Sequence, residues 1–192
     1  FRADIIHSND WHTAMIPLYI KANYKFDEFW SKTKNVFEIH NLAYQGVWFE
    51  DILDFANMRK DIVFNEWGCE HYGRVNWMKG AINYADKVVA VSPNYAKEIL
   101  TQEYGEGMDY TLRGHTDKLV GIVNGIDYDV FNPKTDKTLA KNYDVTSLDN
   151  KEENKKKILE TFGLKYNPER PLIALISRFD PQKGLDLIRQ EE

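Results

Sequence analysis

A single cysteine, Cys69, stands in 192 residues. That excludes an internal disulfide framework and fits a reducing compartment. No apolar run approaches the ~18 residues a membrane-crossing helix needs, and no signal peptide is visible. Excess positive charge is missing too: 25 basic and 30 acidic residues leave a net charge of −5. Nothing in that balance points to a nucleic-acid backbone or an anionic membrane as partner. Internal repeats and low-complexity tracts are absent. So are a Walker-type glycine–lysine loop and a G-x-G-x-x-G run, which weakens kinase, NTPase and dehydrogenase readings.

What is present argues for a folded α/β protein. At 43% hydrophobic and 14% aromatic residues the chain is too apolar for disorder, and it is long enough for one or two domains. It is organised around the stretch Val36-Phe37-Glu38-Ile39-His40-Asn41-Leu42-Ala43-Tyr44-Gln45-Gly46. The first four residues suit a buried strand. His40, Asn41, Tyr44, Gln45 and Gly46 then fall on the loop at its carboxyl end, the edge where open α/β sheets bind ligands.

Read in order, Ile5 and Ile6 form a brief strand ending in His7-Ser8-Asn9-Asp10-Trp11-His12. A helix follows with Ala14, Leu18 and Ala22 on one face, kinked or started late because of Pro17. Trp48 to Phe55 is expected to be partly helical, and Asn57 to Tyr72 a loop region. A firm helix is predicted over Val75 to Ala85, a strand over Val88 to Val91, and a helix started by Ser92 as N-cap and Pro93 at its first position. Leu119 to Val123 is another strand, leading to Asn124-Gly125-Ile126-Asp127. Asn132 to Glu153 reads as a polar linker. Ile158, Leu159 and Phe162 form a helix face closed by Gly163. A last strand, Leu172 to Ile176, runs into Ser177-Arg178-Phe179-Asp180-Pro181-Gln182-Lys183-Gly184 and a new helix. Strands alternate with helices at spacings too long for hairpins, which implies parallel, doubly wound sheets. The linker divides two such units. The chain begins at Phe1 and ends at Glu192 inside apparent elements, so both ends are expected to be cuts.

Four loops leave strand ends with functional-looking residues: His7 to His12, His40 to Gly46, Asn124 to Asp127 and Ser177 to Gly184. In a parallel sheet they share one edge. His7, Asp10, His12 and His40 invite a metal reading, but their spacing matches no helix-based ligand pair and only one cysteine is available. Asp10 suits a sugar site better: a carboxylate accepts from hydroxyls and stabilises positive charge developing at an anomeric carbon. Helix N-capping is the alternative for Asp10. Trp11, His12 and His7 read as packing or bracing the loop. Arg178 and Lys183, ahead of a helix N-terminus, would receive a diphosphate; solvated surface cations are the alternative.

Together the loops resemble bacterial glycogen synthases and plant starch synthases. The matching residues are Asn9-Asp10-Trp11-His12, the run from Val36 to Gly46, Lys79-Gly80-Ala81-Ile82, Ala85-Asp86, Val91-Ser92-Pro93, Asn124-Gly125-Ile126-Asp127, Ser177-Arg178 and Gln182-Lys183-Gly184-Leu185-Asp186. The resemblance implies a GT-B glycosyltransferase of two Rossmann-like domains. Residues 1–125 would belong to the acceptor-side domain; 126–192 would hold the linker and the first strand and helix of the nucleotide-sugar domain. It implies glucose transfer from ADP-glucose to the non-reducing end of an α-1,4-glucan, with retention, no cofactor and no metal, in the cytoplasm or a plastid. Asp10, His40, Arg178 and Lys183 would carry the reaction. Trp11, Asn41, Tyr44, Gln45, Gly46, Asn124 and Gln182 would line the substrates. The family's Lys-x-Gly-Gly-Leu loop, its later glutamate and its Thr-Gly-Gly motif are missing from this stretch, and Phe131 stands where Trp is common. A UDP-glucose or sucrose synthase-like transferase is the nearest competitor. A non-catalytic glucan-binding module, stacking sugars on Trp11, Tyr44, Trp48 and Phe49, is a different one. Exposed apolar sheet edges would favour self-association of so short a chain.

Overall fold

The structure is a computed structural model and describes residues 2–188. It divides into two compact units, one through Gly125 and one from Ile126.

In the first unit the chain runs β1 (Ile5–Asn9), α1 (Asp10–Thr13), α2 (Met15–Leu18), a π-helical turn (Tyr19–Asn23), β2 (Lys34–Ile39), β3 (Val47–Trp48), α3 (Ile52–Phe55) and α4 (Lys60–Val63). It continues with β4 (Glu70–His71), β5 (Arg74–Asn76), α5 (Trp77–Tyr84), β6 (Lys87–Ala90), α6 (Pro93–Glu98), α7 (Asp109–Arg113) and β7 (Leu119–Gly121). Strands β1, β2, β6 and β7 form one sheet in that order, every pair parallel. Because all four run parallel, every strand of this sheet ends at the same edge.

The core lies on one face of this sheet. Ser8, Phe37, Val88 and Leu119 are register partners, and Ile39 and Ala90 sit two residues further along. Phe37, Ile39, Val88 and Ala90 pack in one cluster with Leu18 of α2 and Met78, Ala81 and Ile82 of α5. Alternation along β2 is therefore realised, with Asn35, Phe37 and Ile39 buried and Lys34 exposed. Helices α2 and α5 cross closely at Gly80, where an added Cβ would meet Leu18 Cδ2 at 2.8 Å and Cys69 Cβ at 3.0 Å.

Several expected elements differ. The helix over Ala14, Leu18 and Ala22 keeps that buried face but is broken at Ala14 into α1, α2 and the π-helical turn. Pro17 has no N–H to bond the carbonyl of Thr13, so the ladder cannot run through. Strand β1 extends to Asn9. Val75 belongs to β5, not to the helix, which starts at Trp77 behind an Asn76 cap whose side chain accepts from Lys79 N at 2.9 Å. The stretch read as a loop, residues 57–72, holds α4 and β4. With β3 and β5 it contributes to an antiparallel sheet ordered β3-β5-β4. Strands of two or three residues show no readable period.

Where the local signals are strong they hold. Ser92, extended at φ −164°, accepts from Tyr95 N at 2.9 Å and caps α6 ahead of Pro93. Asp86, just before β6, takes the backbone N–H of Asn35 at 2.8 Å and the ammonium groups of Lys21 and Lys34, each at 3.2 Å. Burial pushes its carboxyl up, but those donors together outweigh burial and hold it below the ordinary value.

The second unit is described by itself. Helix α8 (Lys151–Thr161) takes over the last residues of the expected linker. It closes on Gly163 at φ +66°, with Leu164 N donating to Leu159 O at 2.8 Å and Gly163 N to Glu160 O at 3.1 Å. The strand expected over residues 172–176 is not formed. A strand exists through its ladder, and among the described residues this segment has no partner; Ile173 and Ile176 stand exposed. After Gly184 the chain forms a 3-10 turn (Leu185–Ile188) rather than the start of an α-helix; residues 189–192 of that expected helix lie outside the described residues.

Two outcomes follow. Phe37→Ala is expected to lower stability by about 3–5 kcal/mol, as for other buried aromatics cut to alanine, measured by urea unfolding. The depressed Asp86 carboxyl contributes stability that is present above its ordinary pKa of about 3.9 and lost as the pH falls through its lower folded value. Asp86→Asn should therefore unfold more easily than wild type at neutral pH, with the gap closing on acidification. A gap that persists unchanged in acid would remove the linkage.

Candidate active site

At the carboxyl end of β1 the chain enters α1 through Asp10, whose φ of +54° is left-handed for a non-glycine residue. Such strain persists only where surroundings hold it, and it gathers at functional sites. The holding contacts are plain. Asp10 Oδ1 accepts from the backbone N–H of His40 at 2.9 Å and of Asn41 at 3.3 Å. Those are the two residues that leave β2, so one carboxylate joins the exits of two adjacent strands. Asp10 is not the helix cap: Asn9 occupies that position, and its backbone is instead clasped by Thr13, which accepts from Asn9 N and donates to Asn9 O.

The His40 loop is pinned along its length. Leu42 N donates to the Tyr95 hydroxyl of α6 at 3.0 Å, and burial raises the pKa of that hydroxyl. Asn41 Oδ1 accepts from Ala43 N at 3.0 Å, a local turn. The Gln45 amide donates to the carbonyls of Leu42 at 3.1 Å and Glu106 at 2.9 Å, while its oxygen accepts from Asn76 at 2.6 Å. In this structure Gln45 shapes the loop from beneath. Gly46, at φ +65°, lies on the Trp11 ring, and a Cβ there would come within 2.6 Å of Trp11 Cε3. Only glycine meets both demands. Trp11 in turn packs on His12, ring centroids 4.1 Å apart, so both brace the loop. Tyr44 is half exposed above it.

His40 points its ring Nε2 at Asn9 Oδ1, 3.2 Å away, with Glu38 Oε1 at 3.7 Å. Asn124 follows β7 by three residues and is exposed. Asp10, His40 and Asn124 thus leave β1, β2 and β7 at the same edge of one parallel sheet, where such sheets take ligands.

The remaining expected residues belong to the second unit. Arg178 is exposed and precedes a 3-10 turn, Pro181–Lys183, in which Asp180 accepts from Gln182 N at 3.0 Å and Gly184 closes at φ +65°. Lys183 is exposed in that turn. A single 3-10 turn lacks the aligned peptides of an α-helix, so the expected dipole contribution is not present; the two cations carry the positive charge themselves.

Three residues at the site were not singled out from the sequence. Thr13, Asn76 and Tyr95 hold it through hydrogen bonds, and only Tyr95 left a trace, three residues after a strong cap. A cleft of about 680 Å³ lies elsewhere in the first unit, lined among others by Trp67, Tyr72, Tyr110, Arg113 and His115. None of its lining residues was expected at the site. Among the described residues no three His, Cys, Asp or Glu side chains are grouped to hold a metal ion, and no helix is long and apolar enough to cross a membrane.

Known proteins match this arrangement closely. The starch synthase catalytic domain family matches residues 1–114. Glycogen synthase of Thermotoga maritima is 49% identical over 187 residues, 97% of this chain and 38% of that protein. Glycogen synthase of Clostridioides difficile is 46% identical over 189 residues, 98% of this chain and 39% of its own length. The solved catalytic domain of Starch Synthase IV from Arabidopsis thaliana, bound to ADP and acarbose, superposes with a TM-score of 0.89 at 36% identity. That match covers 97% of this chain and 38% of the other, so the chain spans well under half of the relatives it matches. With that family's motifs in order along a parallel α/β sheet of its fold, the chain belongs to the starch synthase catalytic domain family.

Proposed function

We propose that the protein carrying this chain is a retaining glucosyltransferase that moves glucose from ADP-glucose to the non-reducing end of an α-1,4-glucan, in the cytoplasm or a plastid, without cofactor or metal. The observation that carries this reading is the Asp10 carboxylate. It is held in a strained backbone and fastened to the His40 and Asn41 amides at the ligand edge of the sheet.

In the reaction the acceptor hydroxyl oxygen bonds to the anomeric carbon, the bond from that carbon to the diphosphate breaks, and the acceptor proton is taken up by the departing ADP. Asp10 supplies negative charge where positive charge develops on the sugar. His40 and Asn41 contact the sugar, and Asn124 lines the substrate at the same sheet edge. Arg178 and Lys183 neutralise the diphosphate, with Gln182 beside them. Gln45, Gly46 and Trp11 keep the loop in shape around the substrate.

A glucan-binding module would account for the exposed aromatics Tyr44, Trp48 and Phe49. It would leave the exposed cations Arg178 and Lys183 without a task.

Incubating the intact protein with glycogen and either ADP-glucose or UDP-glucose separates the readings. Release of ADP, undiminished by EDTA, is expected. UDP release alone would favour the competing transferase, and glycogen binding without either nucleotide would favour the module. The 192-residue chain alone is expected to be silent, because its described second unit has no strand ladder to fix Arg178 and Lys183. Lys183→Ala in the intact protein should reduce turnover by roughly 10²–10³, the usual effect of removing one positioned stabilising group. Turnover near wild type would take Lys183 out of the site.

A further inference from the structure

Four polar side chains meet on the sheet face opposite Phe37 and Ile39. Strand residues alternate between faces, so His7 and Asn9 of β1 share one side, and Glu38 and His40 share it at the end of β2. The parallel register sets Asn9 directly beside Glu38. The side chains then close on one another. Glu38 Oε2 lies 2.9 Å from His7 Nε2, and its Oε1 lies 3.7 Å from His40 Nε2. Asn9 Oδ1 is 3.2 Å from that same His40 nitrogen. The Glu38 side chain is 13% exposed, against 40% for His40, so the carboxylate is largely withdrawn from solvent.

A neutral imidazole has one N–H and one bare nitrogen, and its neighbours decide which is which. A carboxylate can only accept, so Glu38 favours the proton on Nε2. With Nε2 protonated, Asn9 Oδ1 at 3.2 Å accepts the hydrogen bond, and Glu38 at 3.7 Å acts through its charge alone. The proton is therefore directed inward and Nδ1 is left bare. The backbone end of the residue is fixed separately, by the Asp10 bond to His40 N.

We propose that Asn9 and Glu38 are positioning residues that hold His40 in the Nε2–H tautomer, so that Nδ1 is offered as a hydrogen-bond acceptor to a sugar hydroxyl. This rests on the reading of His40 as a sugar contact. It adds a selectivity: the hydroxyl must donate, so a fluoro analogue at that position, which can only accept, is discriminated against.

The test labels histidine with nitrogen-15 in the intact protein and records proton–nitrogen correlations at about pH 8, where an ordinary histidine is neutral. The signal of His40 is assigned by its loss in His40→Gln. A pure Nε2–H pattern is expected in wild type. The double variant Asn9→Leu, Glu38→Leu should show mixed tautomers, and its KM for the sugar nucleotide should rise roughly three- to tenfold while kcat changes less, the scale of one hydrogen bond. Glu38→Gln, which keeps an acceptor oxygen, should retain the wild-type pattern. A pure Nδ1–H pattern in wild type overturns the proposal. So does a double variant with tautomer and KM unchanged, or, should that variant not fold, an Asn9→Leu single variant that behaves the same way. An intact protein that turns over no nucleotide sugar would instead sink the glucosyltransferase reading, while the tautomer spectrum would still decide this one.

Discussion

Peptide N–H groups just past the end of a parallel strand have lost their ladder partners, and a site can be built only if something else orders them. At the end of β2 that something is the carboxylate of Asp10, which takes the N–H groups of His40 and Asn41 together. Charge-assisted bonds of this kind are about twice as strong as neutral ones. They also explain why Asp10 sits at a positive φ: the left-handed turn aims a short side chain across the edge to the neighbouring strand. From this tie the rest of the loop follows. Leu42 reaches Tyr95, Gln45 fills the space beneath, and Gly46 rests on Trp11.

That dependence runs through β1 and β2 being parallel neighbours in register, Asn9 beside Glu38. A slip of one residue would turn Phe37 and Ile39 out of the core and move His40 to the wrong face. The buried cluster with Leu18, Met78 and Ile82 therefore does more than hold the sheet together; it decides which residues arrive at the edge together. Core packing and site geometry are here one constraint.

How much of this was legible in the sequence depended on the range of the interaction. Signals carried by near neighbours were readable: the Ala14–Leu18–Ala22 face, the Ser92-Pro93 cap, the Gly163 stop, and the strand that ends at Ile39. The π-helical turn and the break at Ala14 were only half visible through Pro17. Elements made by distant partners were not. The β3-β5-β4 sheet consists of strands two or three residues long, with no period to detect, and Val75 fitted the helix face equally well. Asp10 looked like either a helix cap or a sugar carboxylate. Asn9 takes the cap position, and the Asp10 carboxylate bonds amides 30 residues away, a partnership no local pattern shows. Gln45 looked like a ligand contact because it stands in a polar loop, and the acceptors that occupy it lie on Leu42 and Glu106.

The charge at the edge of the first unit points to a division of labour. Asp10 and Glu38 there are acidic, and His7 and His40 are turned toward Glu38. Such a surface suits a sugar with its many hydroxyl donors, and it repels a diphosphate. A nucleotide sugar presents both, so a site that binds it whole needs cations from elsewhere in the protein. Arg178 and Lys183 are cations of that kind, exposed on a separate unit and without an ion-pair partner among the described residues. Keeping such cations off the edge of that sheet has a physical advantage. Placed beside Asp10, a lysine would pair with the carboxylate and compete for it with the His40 and Asn41 amides.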